Sequence, residues 1–165
     1  MRVLGVDPGT ITMGYGVVDD VDEVLTVEEY GAISAPARSP IGERLCFMYE
    51  RLLKIVKSKR PDVVAVEQPF VAKNARSALA IGRSQAVAIL AASLQKVPVF
   101  EYTPAQIKQR VSNYGASSKE QVQEMVRLQL NMRELEGPAD ASDALAVALC
   151  HLSETRFSRI VSGGG

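Results

Sequence analysis

Four acidic residues stand where a carboxylate is either functional or costly. Asp7 closes the apolar run Val3 to Val6, and Glu67 closes the run Val63 to Val66. Open α/β sheets bind ligands beyond the carboxyl ends of their strands, so acids there face the place a ligand occupies. An acid ending a Val-rich strand is also expensive to desolvate without a partner. Asp140 and Asp143 follow Gly137-Pro138 at a spacing of three, which puts both on one face of a helix in its first turn. Free amides and the helix dipole favour ionised carboxylates there. Taken singly, each has an ordinary reading: a solvated strand-end acid, a turn cap, or an N-cap. Four of them converging from three elements would repel unless cations bind. Carboxylate and water ligands select hard cations, magnesium or manganese. Two such ions about 3.5–4 Å apart activate a water and stabilise the leaving oxygen in phosphodiester hydrolysis, with no covalent protein intermediate. Zinc and a Ser-His-Asp triad have little support, because His151 is the only histidine and no cysteine pair has ligand spacing.

The elements that must position these acids follow from periodicity. Val3 to Asp7, Met13 to Asp19 and Val24 to Ile33 are strands joined by the turns at Pro8-Gly9 and Asp19–Asp22, an antiparallel meander. Apolar residues at 41, 45, 48, 52, 55 and 56 predict a helix that Pro61 stops. Val63 to Glu67 is β-branched and fully apolar up to its acid, as a central parallel strand is. Asn74 caps a long Ala-rich helix to about Gln95. Val97 to Tyr102 is a fifth strand, and Thr103-Pro104 opens a helix with Pro in its first turn. Ser117 or Ser118 caps another, to about Asn131, and the last helix runs from Asp140 to about Arg156. The order βββαβαβααα predicts an α/β fold with a five-stranded mixed sheet flanked by helices. Residues 1–160 read as one domain and 161–165 as a disordered tail.

At 165 residues and 47% apolar, the chain is long enough to bury a core unaided. No apolar run reaches membrane-spanning length. The N-terminus is neither a secretory signal nor a transit peptide, and Cys46 and Cys150 read as buried thiols, so a cytoplasmic location is expected. Net charge is zero, yet six acids and no base lie between Asp19 and Glu29. From Phe70 to Arg127 there are eight bases and three acids, an asymmetry that permits a basic face for nucleic acid.

The ordered stretches Gly5-Val-Asp7-Pro-Gly-Thr, Gly14-Tyr-Gly-Val, Val66-Glu67-Gln68 and Phe70-Val-Ala-Lys-Asn74 resemble the RuvC family of Holliday-junction resolvases. Ser77-Ala-Leu, Gly82-Arg, Val99-Phe-Glu-Tyr102, Lys108-Gln, Lys119, Gln121-Val-Gln123, Met125-Val-Arg127 and Ala139-Asp140-Ala-Ser-Asp143-Ala-Leu-Ala146 extend the likeness to about residue 152. The resemblance implies a ribonuclease H-like fold, a homodimer, and metal-dependent symmetric cutting of four-way junctions. It makes Asp7, Glu67, Asp140 and Asp143 the catalytic carboxylates that hold Mg2+ (or Mn2+), two ions per site. Lys108 and Lys119 match basic residues at the scissile strands, where a cation offsets charge on the phosphoryl transition state. Phe70 matches an aromatic that stacks on open bases at the junction centre. Lys73, Asn74, Arg76 and Arg83 are candidate phosphate contacts. The family further implies a RuvA–RuvB-type branch-migration complex as partner. The small-residue helix from Asn74 to Gln95 could pack on the sheet with one face and on a second copy with another.

Two departures stand out: zero net charge, and a tail after Arg159 without a basic extension. Three other readings remain open. A sugar-kinase or actin-like ATPase also opens with strand, Asp, Gly and Thr, but needs two lobes. A non-catalytic junction-binding protein would keep the fold alone. A ribonuclease H-type nuclease would share the carboxylate centre and take another substrate.

Overall fold

A computed structural model describes residues 1–69 and 75–162, apart from the side chain of Ile160. The element order is β1 (Arg2–Asp7), β2 (Thr12–Val21), β3 (Val24–Ser34), α1 (Ile41–Lys59), β4 (Val63–Glu67), α2 (Ala75–Ser93), β5 (Val99–Tyr102), α3 (Pro104–Ser112), α4 (Lys119–Gln129) and α5 (Ala139–Ser162). That is the order periodicity predicts.

The five strands form one sheet in the order β3-β2-β1-β4-β5. The meander β1–β2–β3 is antiparallel, and β4 and β5 add in parallel beside β1. A mixed sheet follows because hairpin turns reverse the chain, whereas α1 and α2 are crossovers that return it in the same direction. β1 and β4 are therefore neighbours, and their carboxyl ends, Asp7 and Glu67, lie side by side.

Two hydrophobic cores flank the sheet. On one face Leu4, Val6, Met13, Val17, Val64 and Val66 pack under Met48, Leu52 and Val56 of α1 and Ala88, Ala91 and Ala92 of α2. On the other, Val3, Val18, Ala65 and Tyr102 meet α3, α4 and the nearly all-buried run Ala144–Leu149 of α5. Alternate strand residues thus serve opposite cores, as the two-residue strand period requires.

Some boundaries differ from the sequence reading. α5 continues through Val161 and Ser162, beyond the Arg156 end and into the residues read as a tail; 163–165 lie outside the described residues. Apolar side chains Phe157 and Val161 carry the helical spacing on after the buried run stops. Ser118, not Ser117, caps α4: it and Gln121 form a reciprocal capping box, while Ser117 is buried and donates to the Tyr114 carbonyl. Thr103 and Gln106 build the same box on α3. The Asn74 cap of α2 falls outside the described residues. Cys150 is buried but Cys46 is exposed, a correction to the buried-thiol reading. The buried face of α1 is carried by Met48, Leu52 and Val56, and Cys46 lies off it.

Candidate functional site

The carboxyl end of the sheet is brought to the first turn of α5 by glycine. Gly5 and Gly14 lie on the α5 side of β1 and β2, and Gly14 is the register partner of Asp7. A Cβ at Gly5 would overlap the Ala144 carbonyl oxygen, and one at Gly14 the Asp140 carbonyl oxygen. With hydrogen in both places, the α5 backbone rests directly on the strands. Asp140 and Asp143 then come to Asp7 within a helix-to-sheet spacing that larger side chains would widen.

Asp7 and Glu67 stand at the adjacent carboxyl ends of the paired strands β1 and β4. Burial raises the pKa of both. The nearby charges of Asp143 and Asp140 raise Asp7 further, and those of Asp7 and Asp143 raise Glu67. While no cation is bound, burial and like charge therefore favour the protonated form at this pair. The remaining charge is met by Lys119, the first residue of α4, whose Nζ lies 2.6 Å from Asp143 Oδ2. That contact holds the Lys119 pKa above its ordinary value. A cleft of about 200 Å³ opens beside the acids, with Glu67, Asp143, Lys108 and Lys119 at its polar side and Pro104, Ile107, Val122 and Ala146 as its apolar floor.

Among the described residues no group of three or more His, Cys, Asp or Glu side chains is arranged to hold a metal ion as it stands. The donors nonetheless fit a hard divalent cation. They are carboxylate oxygens only, drawn from β1, β4 and α5, and their charge is offset by a raised tendency to protonate at Asp7 and Glu67 and by the Lys119 ammonium group. Proton and ammonium alike are replaceable by a cation that binds the same oxygens.

The other expected contacts distribute as follows. Arg76 opens a separate cleft of about 580 Å³ with Arg44, Gly9 and Thr10, next to the turn that follows Asp7. Arg83 is exposed two turns further along α2. Phe70, Lys73 and Asn74 lie outside the described residues. The acid-rich hairpin falls at the opposite end of the sheet: Asp19 pairs with Arg2, Asp20 with Arg156, and Glu28 and Glu29 with Lys59. These acids are thus met by bases at their own end of the sheet and leave Lys108 and Lys119 to the acids of the site.

Sequence reasoning did not foresee the part played by Gly5, Gly14 and Tyr102. The signal for the glycines was present: two glycines on the same strand face as Asp7 leave a strip with no side chain. Arg44 was also missed, because it reads as an ordinary polar position of α1.

Comparison with known proteins matches this geometry to a family. A family model described as Crossover junction endodeoxyribonuclease RuvC matches residues 3–151. The chain is 51% identical to a crossover junction endodeoxyribonuclease RuvC of Dehalococcoides mccartyi, over 99% of this chain and 98% of the relative. A protein of the same name from Chloroflexus aggregans is 47% identical, over 92% of each. Among solved structures, T. thermophilus RuvC in complex with Holliday junction substrate superposes with a TM-score of 0.89 at 33% identity, covering 96% of both chains. The yeast mitochondrial Holliday junction resolvase Ydc2, at 16% identity and a TM-score of 0.65, shares the fold.

Proposed function

The chain belongs to the RuvC family of crossover junction endodeoxyribonucleases, and on that premise we propose that it resolves four-way (Holliday) DNA junctions by hydrolysing one phosphodiester in each of two opposed strands. Its fold is the ribonuclease H-like one. The observation that carries the reading is the convergence of Asp7, Glu67 and the Asp140/Asp143 turn at one sheet end, with Lys119 against Asp143. Residues 1–160 act as one nuclease domain.

Asp7, Glu67, Asp140 and Asp143 would hold two magnesium ions, for which manganese could substitute. When bound, such ions supply Lewis-acid charge and a water acidic enough to attack a phosphodiester near neutral pH. The chain's own groups do the rest. The four carboxylates fix where positive charge sits relative to the strand ends. Lys119 and Lys108, on the rim of the cleft, place ammonium charge where a phosphate's developing negative charge would lie. The apolar floor of Ile107, Val122 and Ala146 limits water beside that phosphate. Arg76 and Arg83, with Lys73 and Asn74, contact backbone phosphates of the arms, and Phe70 stacks on unpaired bases at the junction centre.

A homodimer supplies two such sites related by a twofold axis, which symmetric cutting requires. Leu79 and Leu90 of α2, and Leu94 just beyond it, leave an exposed apolar stripe that suits a second copy. A RuvA–RuvB-type motor is the natural source of migrating junctions. Among the described residues no helix is long and apolar enough to cross a membrane, and both cysteines are free, which fits work in the cytoplasm.

The test is cleavage of a synthetic mobile four-way junction with magnesium. Paired symmetric nicks with ligatable ends, lost in Asp7→Asn while junction binding persists, are expected. Cleavage of RNA–DNA hybrids instead would favour the ribonuclease H-type reading. Tight junction binding without cutting by the wild type would favour a binding protein.

A further inference from the structure

Glu67 and the acidic turn of α5 belong to different layers, and like charge pushes them apart. Apolar packing between β5 and α5 resists separation, but it is non-directional and tolerates sliding. Among the described residues, a buried polar contact joins β5 to α5. Tyr102, 7% exposed, ends β5, and His151, 4% exposed, lies on α5 eight residues after Asp143. The Tyr102 hydroxyl and His151 Nδ1 are 2.7 Å apart.

The direction of this bond can be worked out. Thr155 Oγ1 donates its proton to the His151 carbonyl at 2.9 Å, so toward His151 Nε2, 3.4 Å away, it can only accept. This arrangement suits the tautomer with its proton on Nε2, in which Nδ1 accepts from the Tyr102 O–H. Burial lowers the His151 pKa, which keeps the ring neutral and able to accept. The Phe100 ring, 4.8 Å from the imidazole centroid, fixes the ring plane from the other side.

Tyr102 is also tied to the site. It is the register partner of Glu67 in the parallel β4·β5 pair. The ladder continues past them, with Gln68 N–H donating to the Tyr102 carbonyl at 2.8 Å. Tyr102 and Ala65 both belong to the α5-side core, so Glu67, two residues after Ala65, projects to that same face. A chain of directional bonds therefore runs from Glu67 across the ladder to Tyr102, through His151 into α5, and along the helix to Asp143 and Asp140.

We propose, on the nuclease reading above, that the Tyr102–His151 hydrogen bond is a positioning strut that sets the separation of Glu67 from the Asp140/Asp143 turn. Neither residue touches DNA or metal; they hold carboxylates in a register that catalysis needs to within about half an ångström.

The test uses Tyr102→Phe, His151→Leu, their double variant, and His151→Asn, whose amide oxygen can take the place of Nδ1. Cleavage kinetics on the junction, junction affinity without added metal, and melting temperature are measured, with cleavage assayed well below every melting transition. Tyr102→Phe and His151→Leu are each expected to lower kcat about 10-fold, with KM and junction affinity unchanged. The double variant should be no worse than either, and His151→Asn should recover most of the rate. Tyr102→Phe deletes one oxygen and keeps the ring, so it tests the strut even if His151→Leu fails to fold. Unchanged kcat in Tyr102→Phe, losses shared equally by KM and junction affinity, or additive losses in the double variant would overturn the proposal. A wild type that cuts no junction would instead overturn the nuclease reading.

Discussion

Asp7 and Gly14 face each other across the β1·β2 pair, so the strand position beside Asp7 carries no side chain. The Asp140 backbone of α5 occupies the space a Cβ would take. Gly14→Ala therefore has no open direction to relax into, since the obstructing atom is helix backbone. The variant is expected to lose about 1–3 kcal/mol of stability and most of its cutting, because the acidic turn is lifted from Asp7. Gly42→Ala, in the first turn of α1 with nothing within 4 Å of the added Cβ, should be neutral or slightly stabilising. Thermal unfolding and junction cleavage of the two variants side by side make the comparison. Equal behaviour would mean the close approach at Gly14 is not what seats α5.

Much of this arrangement was legible in the sequence because it rests on local rules. Strand periods, Pro61, Thr103-Pro104 and the acid at the end of each Val-rich strand gave the order of elements and placed Asp7 and Glu67 at strand ends. That β1 and β4 are neighbours depends on which strands pair, which no local rule decides. The helix spacing put Asp140 and Asp143 on one face, but their distance from Asp7 depends on Gly5 and Gly14, whose role appears only when a helix lies on them. His151 entered the sequence reading only as a lone histidine arguing against zinc and a triad, because its partner Tyr102 is 49 residues away. Cys46 read as buried because sequence neighbours were taken as spatial ones. The shift of α5 past Arg156 shows the same limit: burial stops near Leu152, whereas the helix does not.

The raised pKa values of Asp7 and Glu67 link stability to pH and to metal. Their folded pKa values are raised, mainly by burial, so the metal-free folded protein binds more protons than the unfolded chain above the ordinary carboxylate range, about pH 4. Stability is therefore lost as pH rises from there through the raised folded values. The melting temperature without metal should be lower at about pH 8 than at about pH 6. Magnesium, binding the deprotonated carboxylates, should raise it more at the higher pH. The same magnesium-induced shift at both values would show that the pair is already ionised at the lower one.

Lys119 is ion-paired to Asp143 and lines the cleft beside the acids, so on the proposed reading it would compete with a cation for Asp143 and face the phosphate. The two roles separate in Lys119→Met. Loss of the ammonium removes transition-state stabilisation, for which a fall in kcat of about 100-fold is expected. It also frees Asp143, so half-maximal cleavage should need less magnesium than in the wild type. A magnesium titration of initial cleavage rates reads both effects. A variant that needs more magnesium would show that Lys119 organises the carboxylates rather than neutralising them.

Leu79 is 70% exposed and Leu90 51% exposed. Eleven residues apart on α2, they fall within about 20° of each other around the helix, so they form one stripe rather than scattered apolar positions. Exposed apolar stripes on a helix mark contact surfaces. Leu79→Glu places a charge in that stripe and leaves the monomer core untouched, because neighbouring Ala78 carries the buried side of this turn. The expected outcome is a halved mass in sedimentation, an unaltered monomer melting profile, and junction cutting that yields single nicks in place of paired ones. Paired nicks follow from two sites held on one junction, so their loss should track the loss of dimer as protein concentration is lowered. A variant that keeps the wild-type mass would place the twofold contact elsewhere on the molecule.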